Sequence, residues 1–232
     1  MKKKALNLPE AKLPHVHLTK EHIEQESKKR ISRINKEFAK GFSFIKDYPK
    51  SVTFFGSARF KETNPHYRKA RSIAVRLSSL GYTIVTGGGP GIMEAANRGA
   101  YDTGGHSLGL NIKLPQEQVT NPYVTKSTEF HYFFSRKVAL SFSAEAYLYF
   151  PGGFGTLDEF FEILTLVQTH RIAPVPIILV GADYWKPLDD FIKKQMAEKH
   201  RSVDRSDMKL YTITDDEDEV VRIVENAPLR DE

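Results

Sequence analysis

Cysteine is absent from the 232 residues. That excludes a disulfide scaffold, a thiolate zinc centre and a cysteine nucleophile. No apolar run approaches the roughly 20 residues that a membrane-spanning helix needs, so no membrane partner is expected. The basic N-terminus lacks the apolar core of about 7–15 residues found in a secretory signal, and a cytoplasmic location is the expectation. Metal-ligand spacing is missing too: the eight histidines fall as His15/His17 and otherwise singly, so no metal is expected. There is no Gly-x-Ser-x-Gly elbow, which leaves Ser/His/Asp catalysis unsupported. What is present, 40% hydrophobic and 27% charged residues, suits a folded globular chain and excludes wholesale disorder.

The net charge of +5 is unevenly placed. Residues 1–50 hold 13 Lys+Arg against 6 Asp+Glu, and residues 51–232 hold 21 against 23. The basic character therefore belongs to an N-terminal extension. A basic arm can bind nucleic acid, but this one carries no recognisable nucleic-acid motif, so it reads as a solvated tail plus a surface helix. Residues 1–18 have no sustained period. From Lys20 to about Lys46 the apolar positions Ile23, Ile31, Ile34, Phe38, Phe42 and Ile45 recur at roughly helical spacing; this helix is expected to pack on the body or on a second subunit. Tyr48-Pro49 ends it. The division is 1–48, arm and helix, and 49–232, a single domain.

From Ser51 short β-rich runs alternate with helical segments. The runs are Val52–Phe55, Tyr82–Val85, Ser107–Ile112, Ala146–Phe150 and Val175–Val180, with Tyr211–Ile213 as a possible last strand. Helices fit at about 64–80, 91–103, 132–142, 156–168, 184–198 and 215–226. Nearly continuous apolar strands alternating with helices mean an α/β class, a Rossmann-like doubly wound parallel sheet with helices on both faces. Such sheets bind ligands at the carboxyl ends of their strands, so the loops there are the place to look for chemistry.

Three loops stand out. In Gly56-Ser57-Ala58-Arg59, Ser57 offers a hydroxyl and Arg59 a cation; a plain turn with a surface arginine is equally open. Gly87-Gly88-Gly89-Pro90-Gly91 follows a strand and enters a helix, so amides such as those of Gly88 and Gly89 can face an anion. It departs from the dinucleotide fingerprint, because Ile92 takes the third-glycine place and Asn111-Ile112-Lys113 lacks the ribose-binding acid. Nor is it a Walker A loop. No cofactor is expected. The third loop, Pro151-Gly152-Gly153-Phe154-Gly155-Thr156-Leu157-Asp158-Glu159, places three glycines before a helix, with amides able to surround a phosphate and Thr156 able to add a hydroxyl.

Glu159 has two readings. Thr156-Leu157-Asp158-Glu159 has the form of a capping box, in which the threonine caps the helix and the glutamate reaches back. Alternatively Glu159 faces the ligand cleft beside a bound phosphate. A helix start would favour its ionised form, suiting a base or a stabiliser of positive charge. Asp158 reads as a dipole-favoured surface acid. Upstream, Arg136 and Lys137 are adjacent on a helix and diverge by about 100°. One could enter the cleft while the other meets solvent or a second subunit, or both form a solvated pair. His131 reads as a packed or surface residue.

Taken together, these residues resemble the LOG (Lonely Guy) family, the cytokinin riboside 5′-monophosphate phosphoribohydrolases. The Pro-Gly-Gly-x-Gly-Thr-x-x-Glu signature matches at Pro151–Glu159, and the upstream Arg-Lys pair at Arg136-Lys137. Phe-Gly-Ser-Ala-Arg, Gly-Gly-Gly-Pro-Gly-Ile-Met-Glu-Ala-Ala-Asn and Leu-Pro-x-Glu-Gln at Leu114–Gln118 look like the longer bacterial branch. The resemblance spans about 50–230. It implies hydrolysis of the N-glycosidic bond of AMP or an N6-modified AMP to free base and ribose 5-phosphate. It implies that Arg136 and Glu159 are the catalytic pair. Gly152, Gly153, Phe154, Gly155 and Thr156 would bind phosphate and ribose, and Glu117, Lys137 and Thr165 match substrate-binding positions. It also implies a homo-oligomer, dimeric or hexameric, with sites near subunit contacts. A nucleotide-binding regulator of AMP or an alarmone, built from the same loops without turnover, is the alternative. A pyridoxal lysine decarboxylase finds no support, since no lysine sits in a recognisable Schiff-base setting.

Overall fold

The computed structural model describes residues 19–113 and 120–228. Seven strands form one wholly parallel sheet: β1 (Ser51–Phe55), β2 (Thr83–Thr86), β3 (Ser107–Ile112), β4 (Lys126–Phe130), β5 (Ala146–Tyr149), β6 (Ile177–Leu179) and β7 (Thr212–Ile213). Their order is β4-β3-β2-β1-β5-β6-β7. The chain thus winds outward from β1 in one direction, then returns to lay β5 against its other side. The switch point lies between β1 and β5, where Val52 pairs with Ala146 and Phe55 with Tyr149.

Every residue of β1, β2 and β5 is buried, which is why these strands read as unbroken apolar or small runs. Successive side chains enter two cores. On one face Val52, Phe54, Ile84, Leu148 and Ile178 pack with α2 (Pro65–Ser79), α3 (Ile92–Asp102) and α7 (Glu217–Glu225). On the other, Phe55, Val85, Tyr147, Tyr149 and Leu179 meet α4 (Phe133–Ser141), α5 (Phe154–Gln168) and Trp185 of α6 (Ala182–Phe191). α6 continues as a π-helical stretch, Ile192–Lys199, where an ordinary helix was expected.

Strand β4 is absent from the sequence reading. Its five residues Lys126–Phe130 bury only Thr128 and Phe130, as an edge strand with one covered face does, so no apolar run marks it. The N-terminal helix, α1 (Lys20–Ile45), starts at Thr19, whose hydroxyl accepts the His22 amide. Only its second half packs on the body. Glu37 and Gly41 are buried there, and Phe44 and Ile45 join the second core. Ile23 and Ile31, expected within the packing stripe, are 50% and 57% exposed. No described helix is long and apolar enough to cross a membrane.

Helix α3, which carries the second glycine loop, lies unusually close to α2. A Cβ at Gly99 would stand 2.6 Å from the Arg71 carbonyl oxygen and 2.7 Å from Ala74 Cβ. Gly99→Ala is therefore expected to lower stability by about 1–3 kcal/mol, read by urea denaturation.

Candidate active site

Each of the three sequence loops leaves the carboxyl end of a central strand, and backbone hydrogen bonds join them. The Ser57 amide donates to the Pro151 carbonyl (3.0 Å) and the Ile92 amide to the Ser57 carbonyl (3.0 Å). Gly91 must be glycine for the second bond: its φ is +74°, and a Cβ would strike the backbone of Ser57 and Ala58. From α6, Tyr184 adds a phenol that donates to the Gly152 carbonyl (2.8 Å). Between the loops lies a cavity of about 810 Å³, open to solvent, lined by Ser57, Arg59, Gly87, Arg136, the Gly152–Glu159 run and Tyr184 among others.

Helix α5 begins at Phe154, with Gly153 in the capping position and no side-chain cap. The amides of Gly152, Gly153, Phe154 and Gly155 donate to no acceptor among the described residues. An uncapped helix start with unused amides can receive an anion. Thr156 is the third residue of the helix, not its cap, and Glu159 is the sixth. The capping-box reading is thereby overturned. A capping-box glutamate stands third in its helix, a place held here by Thr156, and Glu159 lines the cavity instead.

Glu159 is 5% exposed, and its Oε2 is buried with no hydrogen-bond partner. Opposite, Arg136 sits in the first turn of α4, with its Nε equally buried and unpartnered. No hydrogen bond joins the two side chains among the described residues, although their charges feel one another. A Cβ at Gly87 would come within 3.5 Å of a terminal Arg136 nitrogen, so this glycine makes room for the guanidinium.

A family model described as "Possible lysine decarboxylase" matches residues 93–224, more than half of the chain. The chain belongs to this family, the LOG family. Curated LOG relatives include a probable cytokinin riboside 5′-monophosphate phosphoribohydrolase, LOGL3, of Oryza sativa subsp. japonica. It is 30% identical over 155 residues, which cover 65% of this chain and 72% of the relative. LOG3 of Arabidopsis thaliana, a cytokinin riboside 5′-monophosphate phosphoribohydrolase, is 29% identical over 163 residues, covering 68% and 75%. Among solved structures, the structural-genomics protein TM1055 is similar with a TM-score of 0.58 and 24% identity, over 76% of this chain and 98% of its own. The molybdenum cofactor carrier protein of Chlamydomonas reinhardtii gives 0.54 and 19%, over 76% and 96%. At these identities the structures share the fold alone.

The LOG arginine and lysine part company here. Arg136 enters the cavity, while Lys137 forms ion pairs with Asp158 (3.0 Å) and Glu162 (2.7 Å) on the flank of α5. Ser57, Arg59, Gly152, Gly153, Phe154, Gly155 and Thr156 all line the cavity. Gly88 and Gly89 do not. The Gly88 amide is taken by Thr86 Oγ1 (2.9 Å), and the Gly88 and Gly89 carbonyls accept from Asn121 (both 2.9 Å). A buried network of Thr86, Asn97, Ser107 and Asn121 occupies that side of the loop, and Gly87 is the glycine that reaches the cavity. Thr165 is exposed, six residues beyond Glu159 along α5. Glu117 lies outside the described residues. Sequence reasoning missed Met93, Phe133 and Leu140, which give the cavity an apolar wall, and Tyr184. Phe133 had a signal, since it stands three residues before Arg136 on the same helical face, with the guanidinium carbon 5.8 Å from its ring centroid. Tyr184 had none. Among the described residues no group of three metal-ligating side chains occurs.

The expected effect of the helix start on Glu159 also needs correction. Burial pushes its carboxyl up to about 7; Arg136 and Lys137 pull the other way, and Asp158 and Glu162 add to the rise. Burial likewise lowers Arg136, opposed by Glu159. Desolvation of the carboxylate outweighs the two cations. The sign for stability follows. Between about pH 4.3 and pH 7 the folded chain holds a proton that the unfolded chain releases, so stability falls as pH rises through that window. Glu159→Gln is expected to make the protein more stable than the parent by about 1–3 kcal/mol at pH 8, with the difference vanishing near pH 4.5. Urea denaturation at the two pH values checks it.

Proposed function

We propose that the protein hydrolyses the N-glycosidic bond of a nucleoside 5′-monophosphate, AMP or an N6-modified AMP, to the free base and ribose 5-phosphate. One observation carries the reading: Glu159 Oε2 and Arg136 Nε, both buried and without a hydrogen-bond partner among the described residues, belong to side chains that line the cavity into which an uncapped glycine-lined helix start opens. The activity of the plant relatives supports it.

The 5′-phosphate docks on the amides of Gly153, Phe154 and Gly155, with Ser57 and Arg59 facing it from the neighbouring loop. Glu159 lies five residues further along α5, about 7–8 Å down the axis, which leaves room for a sugar between phosphate and carboxylate. As the base departs, positive charge grows on the ribose ring. Ionised Glu159 stabilises it and orients the attacking water, whose hydroxyl goes to the anomeric carbon while the base takes up a proton. Arg136 holds Glu159 toward its charged form and contacts ribose or leaving group. The wall of Met93, Phe133 and Leu140 faces the base. Phosphate binding, remote from the breaking bond, supplies energy for this positioning. Residues 49–232 form the catalytic domain in this reading, with 1–48 as its extension. Phe154 at 93% exposed and Phe133 at 57% fit a homo-oligomer in which a second copy covers the cavity mouth.

Incubation with AMP and with N6-isopentenyl-AMP is expected to release free base. Glu159→Gln and Arg136→Ala are each expected to lower kcat by about 100–1,000-fold. Because the ionised acid acts, kcat/KM should rise with pH along a limb centred at about 7. Saturable AMP binding by the parent with no base released would instead favour the regulatory alternative.

A further inference from the structure

Helix α1 contributes nothing to the cavity wall, yet one of its side chains grips the segment that leads into α4. Glu37 is 8% exposed. Its two carboxylate oxygens accept successive backbone amides, from His131 (2.8 Å) and Tyr132 (3.2 Å). These are the residues between the end of β4 and the start of α4. Helix α4 has no side-chain cap of its own: Tyr132 holds the capping position and makes no capping hydrogen bond. A carboxylate from another helix, more than 90 residues away in the chain, instead holds the amides of the capping residue and the one before it.

The connection to Arg136 is direct. The Tyr132 carbonyl accepts the backbone amide of Arg136 (3.2 Å). One residue is thus held by Glu37 at its N–H and by Arg136 at its carbonyl. Helix α4 has only nine residues, and Arg136 is the fourth of them. So short a helix is marginal without help at its first turn. Arg136 is also poorly held from its own end, since its Nε has no protein partner. Its direction therefore depends on the backbone beneath it. The approach of α1 is close enough to make the grip rigid. A Cβ at Gly41, one turn after Glu37, would lie 3.1 Å from both Ala139 of α4 and the Phe130 ring of β4.

We propose that Glu37 is a positioning residue for Arg136, and that the N-terminal helix is thereby part of the catalytic apparatus and not a surface addition. This rests on the reading of Arg136 as a member of the catalytic pair. The test uses the full chain with Glu37→Ala and Glu37→Gln, measuring kcat and KM for AMP. The Arg136 Nε–H resonance, assigned by its loss in Arg136→Lys, is followed in parallel. Expected for Glu37→Ala is a kcat lower by about 10–100-fold with KM within about threefold, and a shifted or broadened Nε–H signal. Glu37→Gln keeps one acceptor for the two amides and should fall between Ala and the parent, which separates loss of the grip from loss of folding. Overturning results are a kcat within twofold of the parent in both variants, or a loss no larger than the fraction of unfolded protein. If the parent releases no base, the functional reading fails on its own. The resonance then decides: unchanged in both variants, it sinks the positioning role.

Discussion

The carboxyl of Glu159 and the guanidinium of Arg136 attract one another across the cavity without a hydrogen bond between them. Leaving a buried polar group unpaired costs about 1–3 kcal/mol. A chain selected for stability alone would close the pair or replace it with apolar side chains. Here the two groups are held in place by different elements, α5 and α4, on the same face of the sheet. The cost is understandable if a ligand completes both, and such stability losses at sites of function are common.

The rest of the architecture serves that arrangement. Reversal of the strand order between β1 and β5 opens the crevice, and fully buried strands beneath it leave the loops little freedom. Ser57 ties the first loop to the third, Ile92 ties the second to the first, and Tyr184 fixes the Gly152 carbonyl. The Asn97–Asn121 network does the same for the second loop, at the expense of the Gly88 amide and the Gly88 and Gly89 carbonyls. What stays free is the start of α5, where a glycine in place of a capping side chain keeps the amides available. Helix α1 reaches the same machinery from the opposite direction through Glu37.

Much of this was legible in the sequence, because fully buried parallel strands announce themselves as apolar runs and glycine loops follow them. The sheet, six of its seven strands and the third loop could be read in that way. What escaped depended on contacts between distant segments. Strand β4 buries alternate residues at a sheet edge, so its composition is that of a loop. Thr156-Leu157-Asp158-Glu159 satisfies the local pattern of a capping box, and only the helix starting two residues earlier removes it. Arg136 and Lys137 are equivalent by sequence; the seating of α4 on the sheet sends one to the cavity and pairs the other with Asp158 and Glu162. Gly88 and Gly89 resembled anion binders until Thr86 was seen to take the Gly88 amide and Asn121, some thirty residues on, to hold both carbonyls. Burial, which no local pattern reports, reversed the expected effect on Glu159.

A crystal structure of the Glu159→Gln protein with AMP bound tests the central claim most directly. The account predicts the phosphate within hydrogen-bonding distance of the Gly153–Gly155 amides, and the anomeric carbon about 3–3.5 Å from the side chain at position 159. A nucleotide seated away from the α5 start, or with its sugar turned from that side chain, would contradict it.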